Sequence, residues 1–264
     1  MILEEGYVVM KRILYITEKA DAANPVIRQA FGLASQLKSE LCVVTQENVK
    51  SIDREIREEL MQEAFREMNR APGEASLVQI EPLGTEDFFR DLRMHITTFE
   101  PELILLDTPA MIGNEPERAD AWIELADHEL LPVIALQEPA HDLGRGDIVV
   151  MIPQIVDKEH ITVDFVSDLA GDLDADIHLL LISGTESDKK ERDFQYLDGV
   201  ASHLGIRDYS INTVFSDNLQ QGLKNFLMRK HADMICINRD PEENGQVAET
   251  VKSLITDQNY PVGW

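Results

Sequence analysis

One stretch occurs twice in this chain, and that repeat limits what the chain can fold into. The first copy is Phe99-Glu100-Pro101-Glu102-Leu103-Ile104-Leu105-Leu106-Asp107, followed by an acidic helix-like segment and then Leu131-Pro132-Val133-Ile134-Ala135-Leu136. The second is His231-Ala232-Asp233-Met234-Ile235-Cys236-Ile237-Asn238, a similar segment, and Tyr260-Pro261-Val262. Each copy reads as a buried strand, a helix and a Pro-led strand. The residues ahead of each copy fall into the same order, so the unit to be folded is half of the chain.

In the first half, residues 12–17, 41–45 and 77–80 are short β-rich apolar runs. Asn24-Pro25 is a helix cap with Pro in the first turn, and Val26, Ala30, Leu33, Ala34 and Leu37 keep helical spacing after it. Ile52, Ile56, Leu60, Ala64, Phe65 and Met68 form one apolar helix face, and Asp53–Arg57 and Glu63–Arg66 pair on its wet side. Helices are predicted over 87–99 and 117–129, with strands at 103–106 and after Pro132. Turn formers over 139–146 read as a linker. The second half repeats the series: strands at 148–152, 177–182 and 209–214, a helix stripe Ile161-Phe165-Leu169-Leu173, and helices over 188–204, closed by Gly205, and 218–230.

Short apolar strands alternating with helices mean right-handed βαβ units and parallel sheets covered on both faces. The expected fold class is α/β: two tandem five-stranded Rossmann-like domains, residues 1–139 and 146–264, each with its own sheet. In such sheets a ligand sits beyond the strand carboxyl ends, where the strand order reverses. That places candidate sites after Thr17 and Asp107 in one half, and after Ile152 and Asn238 in the other.

Charge narrows the function. The chain has 49 acidic and 24 basic residues, a net −25. The excess runs through both halves, with 27 acidic against 13 basic residues to position 140 and 22 against 11 beyond it. A negative field everywhere disfavours nucleic acid and anionic membranes, which need clustered Lys and Arg. It suits either a high-salt cytoplasm or simple solubility. The opening Met1-Ile2-Leu3-Glu4-Glu5 lacks the basic start and apolar run of a signal peptide. No apolar run approaches the ~20 residues of a membrane span. A cytoplasmic location without membrane insertion is expected. Cys42 and Cys236 sit in apolar runs with no metal spacing and read as core residues. The seven histidines are scattered; His178, inside a strand, reads as a satisfied core histidine, and His95 and His203 fall on helices. There is no Gly-x-Ser-x-Gly elbow, and no metal site is expected. Ser183-Gly184-Thr185-Glu186-Ser187 reads as a plain loop after a strand.

Both halves resemble the universal stress protein domain, and the whole chain is similar to a tandem universal stress protein. The resemblance rests on Lys11-Arg12-Ile13-Leu14-Tyr15-Ile16, on Ala232-Asp233-Met234-Ile235-Cys236-Ile237, and on Val247-Ala248-Glu249-Thr250-Val251-Lys252-Ser253-Leu254 before Tyr260-Pro261-Val262. It implies a strand order of 3-2-1-4-5 in each half, a pseudo-twofold pair, and pairing through the fifth strands, either within the chain or in a homodimer. Nucleotide-binding members carry Gly-x-x-Gly, nine residues, and then Gly-Ser/Thr after strand four. Here Asp107-Thr108-Pro109-Ala110-Met111-Ile112-Gly113-Asn114-Glu115-Pro116 has one glycine and two prolines. Asn238-Arg239-Asp240-Pro241-Glu242-Glu243-Asn244-Gly245 has one glycine and three carboxylates. The aspartate that commonly ends strand one is Thr17 here, with Pro153-Gln154 in the second half. Prolines donate no N–H, and carboxylates repel a triphosphate. The expectation is a non-enzymatic stress-response protein without the family's usual ATP site, acting through protein contacts or a small ligand. The alternative is a divergent site for ATP with Mg²⁺. Any ligand should lie near Thr17, Asp107, Thr108, Gln154, Asn238 or Arg239.

Overall fold

The computed structural model describes residues 12–37, 39–46, 54–67, 78–83, 87–112, 116–129, 131–136, 146–152, 165–183, 190–230, 232–238, 246–257 and 262–263. The first half runs β1 (Arg12–Thr17), α1 (Pro25–Gln36), β2 (Glu40–Thr45), α2 (Arg54–Glu67), β3 (Val78–Pro82), α3 (Phe88–Phe99), β4 (Leu103–Asp107), α4 (Thr108–Met111), α5 (Pro116–Glu129) and β5 (Val133–Leu136). The second runs β6 (Asp147–Ile152), α6 (Phe165–Leu173), β7 (Asp176–Ser183), α7 (Lys190–His203), β8 (Tyr209–Phe215), α8 (Leu219–Leu227), β9 (Met234–Ile237), α9 (Gln246–Asp257) and β10 (Val262–Gly263).

Local chemistry accounts for several of these boundaries. The Asn24 side chain accepts the Val26 N–H at 2.8 Å, and Pro25 opens α1. On the wet face of α2, Glu63 pairs with Arg66. Gly205 closes α7 with φ +69°, a backbone that favours glycine. The central strands β1, β4, β6 and β9 are almost wholly buried. This is why they read as continuous apolar runs and not as alternating ones.

All ten strands form one sheet, in the order β3-β2-β1-β4-β5-β10-β9-β6-β7-β8. The expectation of two separate five-stranded sheets is therefore corrected. Within each half the order is the expected one, and it reads the same from either edge. Every pairing is parallel except the join between halves, where β10 runs antiparallel to β5 with Val262 opposite Ala135 and Gly263 opposite Ile134. Both fifth strands thus have neighbours on each side, so of the two expected forms of fifth-strand pairing the one within the chain is present. Trp264, the residue after Gly263, lies outside the described residues.

Two apolar layers cover the sheet, and each runs through both halves. One packs beneath α1, α2, α6 and α7 and includes Ile13, Tyr15, Val43, Leu105, Ile134, Ile148 and Cys236. The other packs beneath α3, α5, α8 and α9 and includes Leu14, Ile104, Trp122, Ala135, Ile235 and Val262. Both cysteines are buried, as expected, and burial pushes the Cys42 and Cys236 thiols up to about 12. No helix among the described residues is long and apolar enough to cross a membrane.

The seam is tight at Gly263, where a Cβ would lie 3.0 Å from Cys236 Sγ, 3.4 Å from Phe165 Cζ and 3.6 Å from Ile134 Cγ1. Gly263→Val should overpack this junction and lower the free energy of unfolding by about 1–3 kcal/mol. Urea denaturation followed by circular dichroism checks this; an unchanged midpoint would show that the seam yields.

Candidate functional site

The strand order reverses between β1 and β4, because β1 is followed in sequence by β2 on one side and joined to β4 on the other. The crevice beyond their carboxyl ends is where such sheets bind ligands. Thr17 and Asp107 end these strands. The register Tyr15↔Leu105 and Ile16↔Leu106 sets them side by side on one face.

Asp107 is fully buried, and its carboxylate is not left bare. Its Oδ2 accepts the Thr17 hydroxyl at 2.8 Å, the Tyr15 phenol at 2.9 Å and the Asn24 side-chain amide at 2.8 Å. Three donors on one oxygen offset the large cost of taking a carboxylate out of water. Asn24 serves twice, since its Oδ1 caps α1 while its Nδ2 reaches Asp107. This fixes the start of α1 to the end of β4. Burial, and then the charge of Asp107, holds the Tyr15 phenol well above the ordinary tyrosine value, so it stays a neutral donor.

Two more hydroxyls crowd the same tips. Thr45 ends β2 and Thr108 opens α4; both are buried, and among the described residues the Oγ1 of each has no hydrogen-bond partner. The structure thus places Thr17, Asp107 and Thr108 together. It adds Tyr15, Asn24 and Thr45, which sequence reasoning passed over. Tyr15 was hidden in an apolar run. Asn24 carried a visible signal, but only of its capping role. The turn after Asp107 is a short helix, α4, which no periodicity announced.

The second half is built differently at the corresponding place. Pairing of Ile148 with Met234 and of Ile13 with Leu103 makes Asn238 the counterpart of Asp107, and Val150 and Ile152 the counterparts of Tyr15 and Thr17. Asn238 is buried and donates its backbone N–H to Met151 O at 2.9 Å. Apolar side chains replace the hydroxyls there. Gln154 and Arg239 lie outside the described residues, as do the segments 113–115 and 239–245 that hold the glycines and most of the loop carboxylates. Further along this edge, Ser183 donates to the buried Asp193 carboxylate at 3.2 Å. A carboxylate in that position disfavours a phosphate on Ser183. No metal-holding group of three or more His, Cys, Asp or Glu occurs among the described residues.

The cluster around Asp107 makes an alkaline prediction. A phenol whose folded pKa lies above its unfolded value near 10 keeps its proton when the unfolded chain has lost it. Its stabilisation is complete below about pH 10 and is lost as pH rises above that. Wild-type stability should therefore fall steeply above about pH 10, and Tyr15→Phe should flatten this fall while costing about 1 kcal/mol at neutral pH. Urea midpoints at pH 7 to 11 check both; parallel curves for the two proteins would contradict it.

No model of a known protein family matches the chain, and no curated protein does. Solved structures do. A protein of unknown function from Pseudomonas aeruginosa PAO1 aligns with 97% of this chain and 92% of its own, at 14% identity and a TM-score of 0.66. A putative universal stress protein from Pseudomonas aeruginosa UCBPP-PA14 aligns over the same shares, at 13% identity and a TM-score of 0.67. A universal stress protein from Archaeoglobus fulgidus covers 96% of this chain and 94% of its own, at 13% identity and a TM-score of 0.57. The chain therefore has the fold of universal stress proteins along almost its whole length.

Proposed function

We propose that this is a tandem stress-response protein of universal stress protein type, with units at 1–139 and 146–264 joined by a linker at 139–146. In this reading it works in the cytoplasm through protein contacts or a small ligand, and its sheet tips neither hold nor turn over ATP in the family's usual way. The mirrored strand order and the full-length likeness to universal stress proteins support the family reading.

One observation carries the nucleotide reading. At the β1/β4 switch point the chain places a buried carboxylate whose Oδ2 is already engaged by Tyr15, Thr17 and Asn24. A triphosphate brought there meets a fixed negative charge in a poorly screened site. At the second tip Ile152 and Asn238 stand where the first has Thr17 and Asp107.

Heating the purified full chain with and without millimolar ATP and Mg²⁺ tests this. Ligand at 100 times its dissociation constant stabilises by about 2.7 kcal/mol. The expected result is an unchanged melting temperature. A clear upward shift would reject this reading and restore the alternative of a rebuilt ATP site.

A further inference from the structure

A second polar constellation lies at the amino-terminal ends of three neighbouring strands of the second half. Asp147 opens β6, His178 is the third residue of β7, and Ser210 is the second of edge strand β8. The register puts His178 beside Val149 on one side and beside Ser210 on the other. All three side chains therefore stand on the face covered by α8 and α9. His178 Nε2 lies 3.2 Å from Asp147 Oδ1, and His178 Nδ1 lies 2.5 Å from Ser210 Oγ. Asn212, two residues further along β8 on the same face, donates its side-chain amide to Ser210 Oγ at 3.1 Å.

Donor and acceptor chemistry gives this chain of groups a direction. The Asp147 carboxylate can only accept, so in the neutral ring His178 carries its proton on Nε2, aimed at Asp147. Nδ1 is then an acceptor, and Ser210 Oγ, which accepts the Asn212 amide, turns its own proton to it. A hydroxyl facing an unprotonated imidazole nitrogen, with the far nitrogen held by a carboxylate, is the arrangement that activates serine nucleophiles. It is recognised by geometry and roles, not by position in a sequence. Access differs usefully among the members: the Asp147 side chain is 34% exposed and that of His178 only 11%, while Ser210 and Asn212 are half-buried on an edge strand.

The start of β6 is held rigidly. The Asp233 carboxylate accepts the Asp147 N–H at 2.8 Å, and a Cβ on Gly146 would lie 2.6 Å from Asp233 Oδ2. Glycine is what lets Asp233 sit there and fix the backbone that carries Asp147.

We propose that Ser210 is a reactive nucleophile that takes an acyl group from small carboxylic esters, with His178 as its base and Asp147 as a positioning residue. Ser210 Oγ bonds to the acyl carbon as its proton passes to His178 Nδ1. The carbonyl electron pair moves to oxygen, next to the Asn212 amide. Collapse expels the alcohol, which takes the proton from Nδ1. Water then repeats the sequence on the acyl-serine, releasing the carboxylic acid and restoring Ser210. Asp147, the facing Asp176 and Asp233 crowd this end of the sheet, which selects neutral or cationic acyl groups over anionic ones.

Treating the full chain with a fluorophosphonate reagent, and mapping the modified peptide by mass spectrometry, tests the proposal. The hydroxyl should displace fluoride at Ser210 in the wild-type protein, and Ser210→Ala should remain unmodified at that peptide. His178→Gln should slow labelling at least 100-fold. Asp147→Asn should slow it at least tenfold, and Asp147→Glu should restore most of the rate, which a purely structural role would not require. Hydrolysis of p-nitrophenyl acetate should follow the same order. An unmodified Ser210 in the wild type overturns the proposal, whatever the variants do. So does His178→Gln labelled as fast as wild type at an unchanged melting temperature. Neither outcome bears on nucleotide binding at the β1/β4 tip of the first half.

Discussion

The structure depends on a very short antiparallel contact. β10 contributes only Val262 and Gly263, yet these residues bridge β9 and β5 and turn ten strands into one sheet. Without that bridge each half would present a fifth-strand edge of unpaired N–H and C=O groups, open to any other chain. With it, the edge strands of the sheet are β3 and β8. Closure also lets both apolar layers cross the seam. Ile134 and Cys236 meet on one face, and Ala135 and Val262 on the other, so the halves share core as well as hydrogen bonds. Two residues suffice because the interior around them is close-packed, and Gly263 is the residue that lets the strands and α6 approach.

How much of this was legible follows from the length of each signal. Strands such as β4 and β9, buried on both faces, announce themselves as apolar runs, and α1 and α7 carry their cap and stop residues in the sequence. The single sheet could not be read in the same way. A two-residue strand has no periodicity, and an antiparallel partner 127 positions away leaves no local trace. The candidate site was half legible. Asp107 and Thr17 were found because they end the strands at which the expected strand order reverses. Tyr15 did not, because a phenol carries most of its area as ring and reads as apolar until its oxygen finds a partner. Asn24 showed one of its two roles. His178 was expected to be a satisfied core histidine and is satisfied, but the identity of its partners, Asp147 and Ser210, is a property of register that spacing along the chain does not contain.

Register also exposes how differently the two halves spend their polar groups. The row Asp147-His178-Ser210-Asn212 corresponds, strand for strand, to Arg12-Cys42-Gln79-Glu81 in the first half. In that row Arg12 pairs with Glu100 and lies over the Phe99 ring. Cys42 Sγ contacts His95 Nε2 at 3.4 Å, and Gln79 donates to Glu40. The buried thiol, raised to about 12, has no path to reactivity there. At the carboxyl ends the asymmetry inverts: Tyr15, Thr17 and Asp107 face Val150, Ile152 and Asn238.

A buried charge or a buried histidine is costly unless neighbouring donors and acceptors are placed for it, and each such placement constrains several strands at once. The first half meets that cost at the carboxyl end of its strands, where α1 and β4 are tied through Asn24. The second half meets it at the amino end, where Asp233 and Gly146 fix the start of β6. One strand order thus supports two polar centres in a single sheet, one at strand carboxyl ends in the first half and one at strand amino ends in the second. Neither half reproduces the centre of the other, so exchanging the matched residues between halves would strand their partners. On this ground the two halves are not interchangeable copies, and whatever acts in one half must be sought separately from what acts in the other.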